Sequence, residues 1–239
     1  MVEFLLIPAY WKEEVVLPAD ILEKLSSYKS IAIFGAVQFI RLEKVIEQLK
    51  EKGIKTITTH GKRTSGKFQI LGCDCYEDSF EEDVLSADAI LYVGDGLFHP
   101  KALLLAKAKE VLLYNPIAQT LKTITKEDIE KQMKKYKANL MKFLNAKTIG
   151  VLISTKPGQS YLNLALKLKK QSDKHIILFV DDTFNYNHME NFPFVDVWVN
   201  TACPRIGFDD VTSMPRPLIN ITDAFDPGKA LARIEKDFL

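Results

Sequence analysis

The sequence of 239 residues is long enough for one large domain or two small ones, each with a buried core. Hydrophobic residues make up 47% and charged residues 26%, and the net charge of +1 argues against a general binder of nucleic acid or of membrane surfaces. No apolar run approaches the roughly 20 residues that span a bilayer, and the short, acidic start is not typical of a signal peptide. We therefore expect a cytoplasmic protein.

Short apolar runs rich in β-branched residues alternate with amphipathic stretches along the chain. This alternation is typical of βαβ units, in which helices cover both faces of a parallel sheet. The predicted strands are residues 4–7, 31–35, 56–59, 89–93 and 111–114, followed by 149–154, 175–180, 195–199 and 217–219. The predicted helices are residues 19–28, 41–52, 101–108 and 159–171.

A longer amphipathic stretch, residues 126–145, separates the two series of strands. Its apolar residues recur at helical spacing and form one stripe. Thr125 and Asp128 have the spacing of an N-terminal cap. We expect this helix to join two similar parallel-sheet α/β domains, residues 1–146 and 147–239.

The two halves resemble copies of one unit. In each half a first strand ends in a turn of small residues, at Gly35 or at Ser154. In each half a later strand is preceded by an aspartate, Asp88 or Asp196. This repeat is an inference from pattern, since α/β domains share such features.

The turn after predicted strand 89–93 is a candidate ligand site. Its sequence, Gly94-Asp95-Gly96-Leu97-Phe98-His99-Pro100, lies beyond the carboxyl end of a strand, where open parallel sheets bind ligands. Glycines allow close approach of the backbone, and the N–H groups of the next helix suit a carboxylate or phosphate. We assign Gly94, Gly96 and His99 to this site. The spacing is not that of a dinucleotide-binding motif, and a tight turn with a capping aspartate would use the same residues.

A second candidate loop, Ser154-Thr155-Lys156-Pro157-Gly158-Gln159, follows predicted strand 149–154. It lacks the spacing and the Gly-Lys-Ser/Thr ending of a phosphate-binding loop, which argues against a nucleotide triphosphatase. Ser154, Thr155, Lys156 and Gln159 at a helix start could hold the carboxylate of a small ligand. A plain strand-to-helix loop would have the same composition.

Cys203 follows a predicted strand and precedes Pro204, which is favourable at the first position of a helix. A helix N-terminus lowers the pKa of a thiol, so we expect Cys203 to favour the thiolate. Arg205 could offset the charge of a metal cluster or bind a carboxylate. Asp209 and Asp210 could orient Arg205 or could be surface charges.

Cys73 and Cys75 complete a set of three cysteines, which suggests a metal site or inert core residues rather than disulfides. If this segment is extended, the two thiols point to the same side. A zinc site that adds His60 or His99 is an alternative to an iron–sulfur cluster. No Cys/His pairing in the sequence indicates a cysteine nucleophile.

Four segments together resemble the archaeal diphthamide synthase family. They are Leu71-Gly72-Cys73-Asp74, the loop that begins at Gly94, the loop that begins at Ser154, and Asn200-Thr201-Ala202-Cys203-Pro204-Arg205-Ile206, which is the most specific. The resemblance implies transfer of a 3-amino-3-carboxypropyl group from S-adenosylmethionine to a histidine carbon of elongation factor 2. It also implies a [4Fe–4S] cluster with one iron open to the methionine portion of the substrate.

Members of this family hold the cluster with three cysteines, one from each of three similar α/β domains, in a dimer. The resemblance makes Cys73 and Cys203 the ligands of the second and third domains, and the family's N-terminal domain has no counterpart in this sequence. Three interpretations follow: a second polypeptide supplies that domain, Cys75 supplies the third thiolate, or the chain is a degenerate or accessory subunit. We favour the first.

The leading functional hypothesis is an iron–sulfur transferase subunit of diphthamide synthesis, which works on elongation factor 2 in a homo- or hetero-oligomer. A cluster-free interaction subunit that keeps these motifs as determinants of the fold is one alternative. A metal-free α/β enzyme that binds an adenosyl ligand is another, and it predicts binding that is indifferent to both cysteines.

Overall fold

The chain forms two compact units, Met1–Lys126 and Glu127–Leu239. The structure, a computed structural model, describes residues 7, 9–59, 64, 66–80, 84–107 and 110–238. Each unit is a sheet of mainly parallel strands with α-helices, which confirms the predicted fold class. We expected the division at residue 146, after the long helix. The structure divides the chain before that helix, between Lys126 and Glu127.

In the described part of the chain, the first unit contains five strands and three α-helices. They are α1 (Ala19–Leu25), β1 (Ser30–Gly35), α2 (Glu43–Glu51), β2 (Lys55–Ile57), β3 (Ala89–Val93), α3 (Phe98–Lys107), β4 (Val111–Asn115) and β5 (Thr120–Ile124). The sheet has the order β2-β1-β3-β4-β5. The first four strands are parallel, and β5 pairs antiparallel with β4.

Strand β5 was not predicted from the sequence. It lies at the edge of the sheet, and only Ile124 among its residues is buried, so its apolar pattern is weak. Strands β1, β3 and β4 are almost entirely buried, which explains why their apolar runs were recognisable. The predicted strand 4–7 lies outside the described residues, except for the exposed Ile7.

The second unit contains four strands and five α-helices in the described residues. They are α4 (Glu130–Asn145), β6 (Thr148–Ser154), α5 (Leu162–Gln171), β7 (His175–Asp181), β8 (Val197–Asn200), α6 (Pro204–Asp209), β9 (Leu218–Asn220), α7 (Ile221–Phe225) and α8 (Pro227–Asp237). The sheet has the order β7-β6-β8-β9, and every strand in it is parallel to its neighbours.

The long helix α4 belongs to the core of the second unit. It packs against α6, α8 and β9 and buries Met133, Tyr136, Asn139, Leu140 and Phe143. A 3₁₀ turn over Lys126–Asp128 precedes it, and the N-cap residue of α4 is Ile129, so the predicted cap at Thr125 does not start this helix. The predicted apolar stripe is therefore present, and α4 belongs to the second unit. Its role as a connector between domains stays a prediction.

The candidate loops begin at the carboxyl ends of parallel strands in both units. Gly35 and Val93 end β1 and β3 in the first unit, and Ser154 and Asn200 end β6 and β8 in the second. Among the residues that the structure describes, no helix has both the length and the apolar character needed to cross a bilayer.

Candidate functional site

Cys73 lies in a loop of the first unit, not on a strand. This loop passes the carboxyl end of β1, where Gly35 forms an isolated parallel bridge with Gln69. The buried Asp74 closes the loop, because its Oδ2 accepts a hydrogen bond from the Leu71 N–H at 2.8 Å and its own N–H donates to the Leu71 carbonyl at 3.0 Å. The Cys73 thiol is half-buried at the tip of this turn.

Cys75 differs from Cys73 in burial. Its side chain is fully buried, whereas that of Cys73 is partly exposed. The prediction that both thiols point to one side required an extended segment, and the turn removes that condition. Cys75 is a core residue in this structure, and it could join Cys73 at a metal only after a rearrangement of the loop.

The loop after β3 packs against the Cys73 loop. The Phe98 ring lies on Gly72, where a β-carbon would overlap the ring. Gly94 is buried, and a β-carbon there would lie 2.5 Å from Cε1 of Tyr92. Gly96 is exposed, and no atom lies within 4 Å of the position that its β-carbon would take. Of the two predicted ligand-binding glycines, Gly94 serves packing, and Gly96 leaves the backbone open to a ligand.

His99 lies in the first turn of α3 and contacts Tyr92. Its Nδ1 is 3.2 Å from the Tyr92 hydroxyl, and the two rings stack with centroids 6.0 Å apart. Burial, and then the charge of Asp95, raises the pKa of Tyr92, so the hydroxyl stays protonated and can donate to an unprotonated Nδ1. The histidine ring is therefore oriented by the end of β3.

The alternative of a zinc site gains no support from the described residues. They contain no group of three or more His, Cys, Asp or Glu side chains arranged to hold a metal ion. His60, one of the two histidines considered for such a site, lies outside the residues that the structure describes.

The loop after β6 is closed by its own polar groups. Ser154 is buried, and its Oγ accepts a hydrogen bond from the Lys156 N–H at 3.1 Å. The Thr155 N–H donates to the carbonyl of Asp181, at the end of β7, at 3.0 Å. The side chains of Thr155 and Lys156 are exposed, so these two residues, rather than Ser154, are placed to meet a ligand.

The sequence predicted Gln159 at a helix start, but the structure places it within this loop. Helix α5 begins at Leu162, and Gly158 turns the chain before it with a φ of +75°. The Gln159 N–H donates to the Lys156 carbonyl at 3.0 Å. The Gln159 N–H is therefore used within the loop, and this residue would contact a ligand through its half-buried side chain.

Cys203 is the N-cap residue of α6, and Pro204 is the first helical residue, as predicted. Proline costs no hydrogen bond at this position, and its fixed φ suits a helix start. The Cys203 backbone is extended, with φ −61° and ψ 124°, and its side chain makes no capping hydrogen bond with the helix. Cys203 as a residue is half-buried.

Arg205 is held by Asp209 one turn along α6. Its Nε donates to Oδ1 at 3.1 Å and its Nη2 donates to Oδ2 at 2.5 Å. The Arg205 side chain is only 3% exposed, whereas that of Asp209 is 31% exposed. Asp209 therefore orients Arg205, and the roles of Arg205 toward a cluster or a ligand carboxylate stay predictions.

Tyr186 is a residue near Cys203 that was not predicted from the sequence. It begins a 3₁₀ helix, Tyr186–Asn191, and burial, followed by the charges of Asp210 and Cys203, raises its pKa. Burial also raises the pKa of Asp210. Tyr186 and Asp210 line an open cavity of about 440 Å³. The cluster of aromatic and amide residues after β7 was the available signal.

Comparison with known proteins shows which family this chain resembles. The family described as diphthamide synthesis protein matches residues 8–226. The 2-(3-amino-3-carboxypropyl)histidine synthase of Pyrococcus horikoshii is 31% identical over 220 residues, which cover 89% of this chain and 62% of that protein. The synthase of Methanocaldococcus jannaschii is 33% identical over 154 residues, which cover 62% of this chain and 43% of that protein.

A solved structure has the same fold. The crystal structure of Dph2 from Pyrococcus horikoshii with a 4Fe-4S cluster matches with a TM-score of 0.73 and 27% identity, over 96% of this chain and 65% of that one. This chain spans less than two thirds of the length of these relatives. Because the family match covers most of the chain and extends over both units, the chain belongs to the diphthamide synthesis protein family.

Proposed function

We propose that this chain is a subunit of a 2-(3-amino-3-carboxypropyl)histidine synthase. It would transfer the 3-amino-3-carboxypropyl group of S-adenosylmethionine to a histidine of elongation factor 2, in the cytoplasm. The observation that carries the proposal is the half-buried residue Cys203 at the start of α6, within the most specific of the motifs that resemble the family. The 4Fe-4S cluster in the related Dph2 structure supports it.

The thiols present suit part of an iron–sulfur site. Cys73 and Cys203 are soft, half-buried donors on loops at the carboxyl ends of parallel strands, and such clusters are held by thiolates. The buried Cys75 is a poor third donor, so we assign the remaining thiolate to another polypeptide chain in the assembly. When bound, the cluster would supply an open iron for the methionine portion of S-adenosylmethionine.

The other loop residues would bind and orient the substrate. Lys156 and Thr155 are exposed beyond β6 and suit the substrate carboxylate, with Gln159 beside them. Gly96 admits a ligand close to the backbone after β3, and His99 is oriented beside it by Tyr92. Arg205 would act by shaping the Cys203 loop through its pair with Asp209.

Anaerobic reconstitution with iron and sulfide tests this proposal. We expect the broad visible absorption of an iron–sulfur centre in the chain isolated with its partner, together with transfer of the carboxypropyl group measured as a mass increase of elongation factor 2. Cys73→Ala and Cys203→Ala should abolish the absorption. Cys75→Ala is the matched control and should retain it.

Three outcomes would contradict the proposal. The first is wild-type protein that forms no cluster with or without the partner, which would favour an interaction subunit without a cluster. The second is an equal loss of absorption in Cys75→Ala and Cys203→Ala, because this would remove the distinction between core and ligand cysteines. Adenosyl binding that survives all three substitutions unchanged would favour a metal-free enzyme.

A further inference from the structure

Two buried asparagines hold the backbone on which Cys203 lies. Asn200 and Asn220 end β8 and β9, and each is 2% exposed. The Asn200 Nδ2 donates to the Cys203 carbonyl and to the Asn220 Oδ1, both at 2.9 Å. The Asn220 Nδ2 donates to the Pro204 carbonyl at 2.8 Å. The pair therefore reaches the first two carbonyls at the start of α6.

The orientation of both amides is fixed by backbone groups. The Asn200 Oδ1 accepts from the Ala202 N–H at 3.0 Å, so its Nδ2 must face the Cys203 carbonyl. The Asn220 Nδ2 must face the Pro204 carbonyl, which can only accept, and this leaves its Oδ1 toward Asn200. Rotation of either amide by 180° would place two donors or two acceptors against each other.

Helix α4 supports the pair from behind. The Tyr136 hydroxyl accepts from the Asn220 N–H at 2.8 Å and donates to the Asp223 Oδ2 at 2.7 Å. On the other side, α6 approaches closely at Gly207, where a β-carbon would overlap the Asn220 amide. The asparagine pair thus links the core of the unit to the first turn of α6.

We propose that the Asn200–Asn220 pair is a positioning device for the Cys203 thiol. By holding the carbonyls of Cys203 and Pro204, the pair fixes the backbone at the start of α6 and so the orientation of the Cys203 side chain. The Cys203 carbonyl also accepts from the Ile206 N–H at 3.1 Å, so the Asn200 amide is its second donor. Loss of either asparagine donor removes one of the hydrogen bonds that keep the loop in one arrangement. The restraint is a property of the metal-free chain, and only its purpose, to present a cluster ligand, rests on the proposed function.

The test compares two isosteric substitutions of buried asparagines. Asn220→Asp keeps the shape and replaces the donor to Pro204 with an acceptor. Asn139→Asp is the matched control, because Asn139 is 1% exposed and its Nδ2 donates to the Leu218 carbonyl at 3.0 Å. The measurement is the rate of alkylation of Cys203 by iodoacetamide in the metal-free chain, followed by peptide mass spectrometry.

We expect Asn220→Asp to speed alkylation of Cys203 roughly fivefold to tenfold, the factor that corresponds to one lost hydrogen bond. The rate at Cys73, the internal reference, should not change, and neither rate should change in Asn139→Asp. In the reconstituted complex, the electron paramagnetic resonance spectrum and the midpoint potential of the cluster should move in the Asn220 variant alone. If Asn220 had only a structural role, both variants would unfold at a lower temperature. The alkylation rate of Cys203 and the cluster signals would then not differ between Asn220→Asp and Asn139→Asp.

A milder variant keeps the test decisive if Asn220→Asp does not fold. Tyr136→Phe removes only the hydroxyl behind Asn220, and we expect a smaller but measurable increase at Cys203. The proposal is overturned if Cys203 alkylation stays at the wild-type rate in every folded variant of Asn220 and Tyr136. Wild-type protein that takes up no cluster would instead refute the proposed function, and the alkylation result would still stand.

Discussion

The two units of this chain are built on the same strand order. The sequence β2-β1-β3-β4 in the first sheet corresponds to β7-β6-β8-β9 in the second. In both units an aspartate before the third strand binds the start of the first. The Asp88 Oδ2 accepts from the Ser30 N–H at 2.9 Å, and the Asp196 Oδ2 accepts from the Thr148 N–H at 2.9 Å. The predicted repeat is thus present in the topology and in a specific side-chain contact.

The cysteines do not follow this repeat. Cys203 comes after β8, and the corresponding strand β3 is followed by Gly94. Cys73 instead lies in the connection between β2 and β3. The two loops are also held differently, by Asp74 in one unit and by an asparagine pair in the other. The repeated architecture conserves the scaffold, whereas each loop determines where its thiol lies.

Two ion pairs with the same spacing should give the largest contrast between the units. Asp209→Asn leaves the buried Arg205 guanidinium opposite a neutral amide. We expect the free energy of unfolding to fall by about 2–4 kcal/mol, somewhat less than for a fully buried pair because Asp209 is 31% exposed. In α1, Asp20 and Lys24 lie 3.8 Å apart and are largely exposed, so Asp20→Asn should cost nothing measurable. Urea denaturation followed by circular dichroism measures both, and equal losses would contradict the burial of Arg205.

The centre of each sheet offers the next contrast. Gly150 in β6 pairs with Trp198, and a β-carbon there would lie 2.7 Å from the indole Cε3. The corresponding residue of β1 is Ala32, which pairs with Ile90. We expect Gly150→Ala to reduce the free energy of unfolding by about 1–3 kcal/mol through overpacking. Thermal unfolding followed by tryptophan fluorescence checks this. Ala32→Gly, the matched variant, should cost about 1 kcal/mol with no change in the fluorescence of the folded state.

Asp88 and Asp196, the equivalent aspartates of the two units, should give a smaller effect on stability, and this effect should depend on pH. Hydrogen bonds from the N–H groups of Thr148 and Lys147 hold the pKa of Asp196 below its ordinary value. Its contribution to stability is therefore present above the unfolded-state pKa of about 3.9 and is lost as the pH falls through the lower folded-state pKa. We expect Asp196→Ala to cost roughly 1 kcal/mol at neutral pH and nothing in strong acid. Urea titrations across this range measure the difference.

Asp88→Ala is the matched variant in the first unit, and its cost at neutral pH should be similar. A cost for Asp196→Ala that persists unchanged into acid would show that the carboxylate charge is not what binds the start of β6. A large cost at one aspartate and none at the other would break the equivalence of the two units at this contact.

The sequence was most informative where strands are buried on both faces. The predicted bounds of β1, β3 and β6 agree with the structure to within one residue, because a short uninterrupted apolar run between polar turns is typical of a strand covered on both sides. The burial of Cys75 was not predictable, since it depends on a turn that Asp74 closes. Tyr186 was missed for a different reason. Its position near Cys203 depends on how the 3₁₀ helix Tyr186–Asn191 packs in the folded unit, which the sequence pattern does not indicate.

Gly158 and Gly96, one from each candidate ligand loop, give the last contrast in stability. Gly158 has a φ of +75°, so Gly158→Ala should cost about 1 kcal/mol through backbone strain. Gly96 has no such φ and open space around it, so Gly96→Ala should leave the unfolding temperature unchanged. Neither packing nor backbone strain requires a glycine at position 96, so the proposed close approach of a ligand can be tested there without a change in the fold.

The Gly96→Ala variant separates ligand binding from folding. In the reconstituted complex, we expect it to weaken the binding of S-adenosylmethionine, measured by equilibrium dialysis, by roughly tenfold, because a methyl group would displace a ligand in contact with the backbone. Asp20→Ala, on the surface of the same unit, is the control and should bind as wild type. If Gly96→Ala binds as tightly as wild type, the loop after β3 does not contact the ligand, and only the second unit contributes a substrate loop.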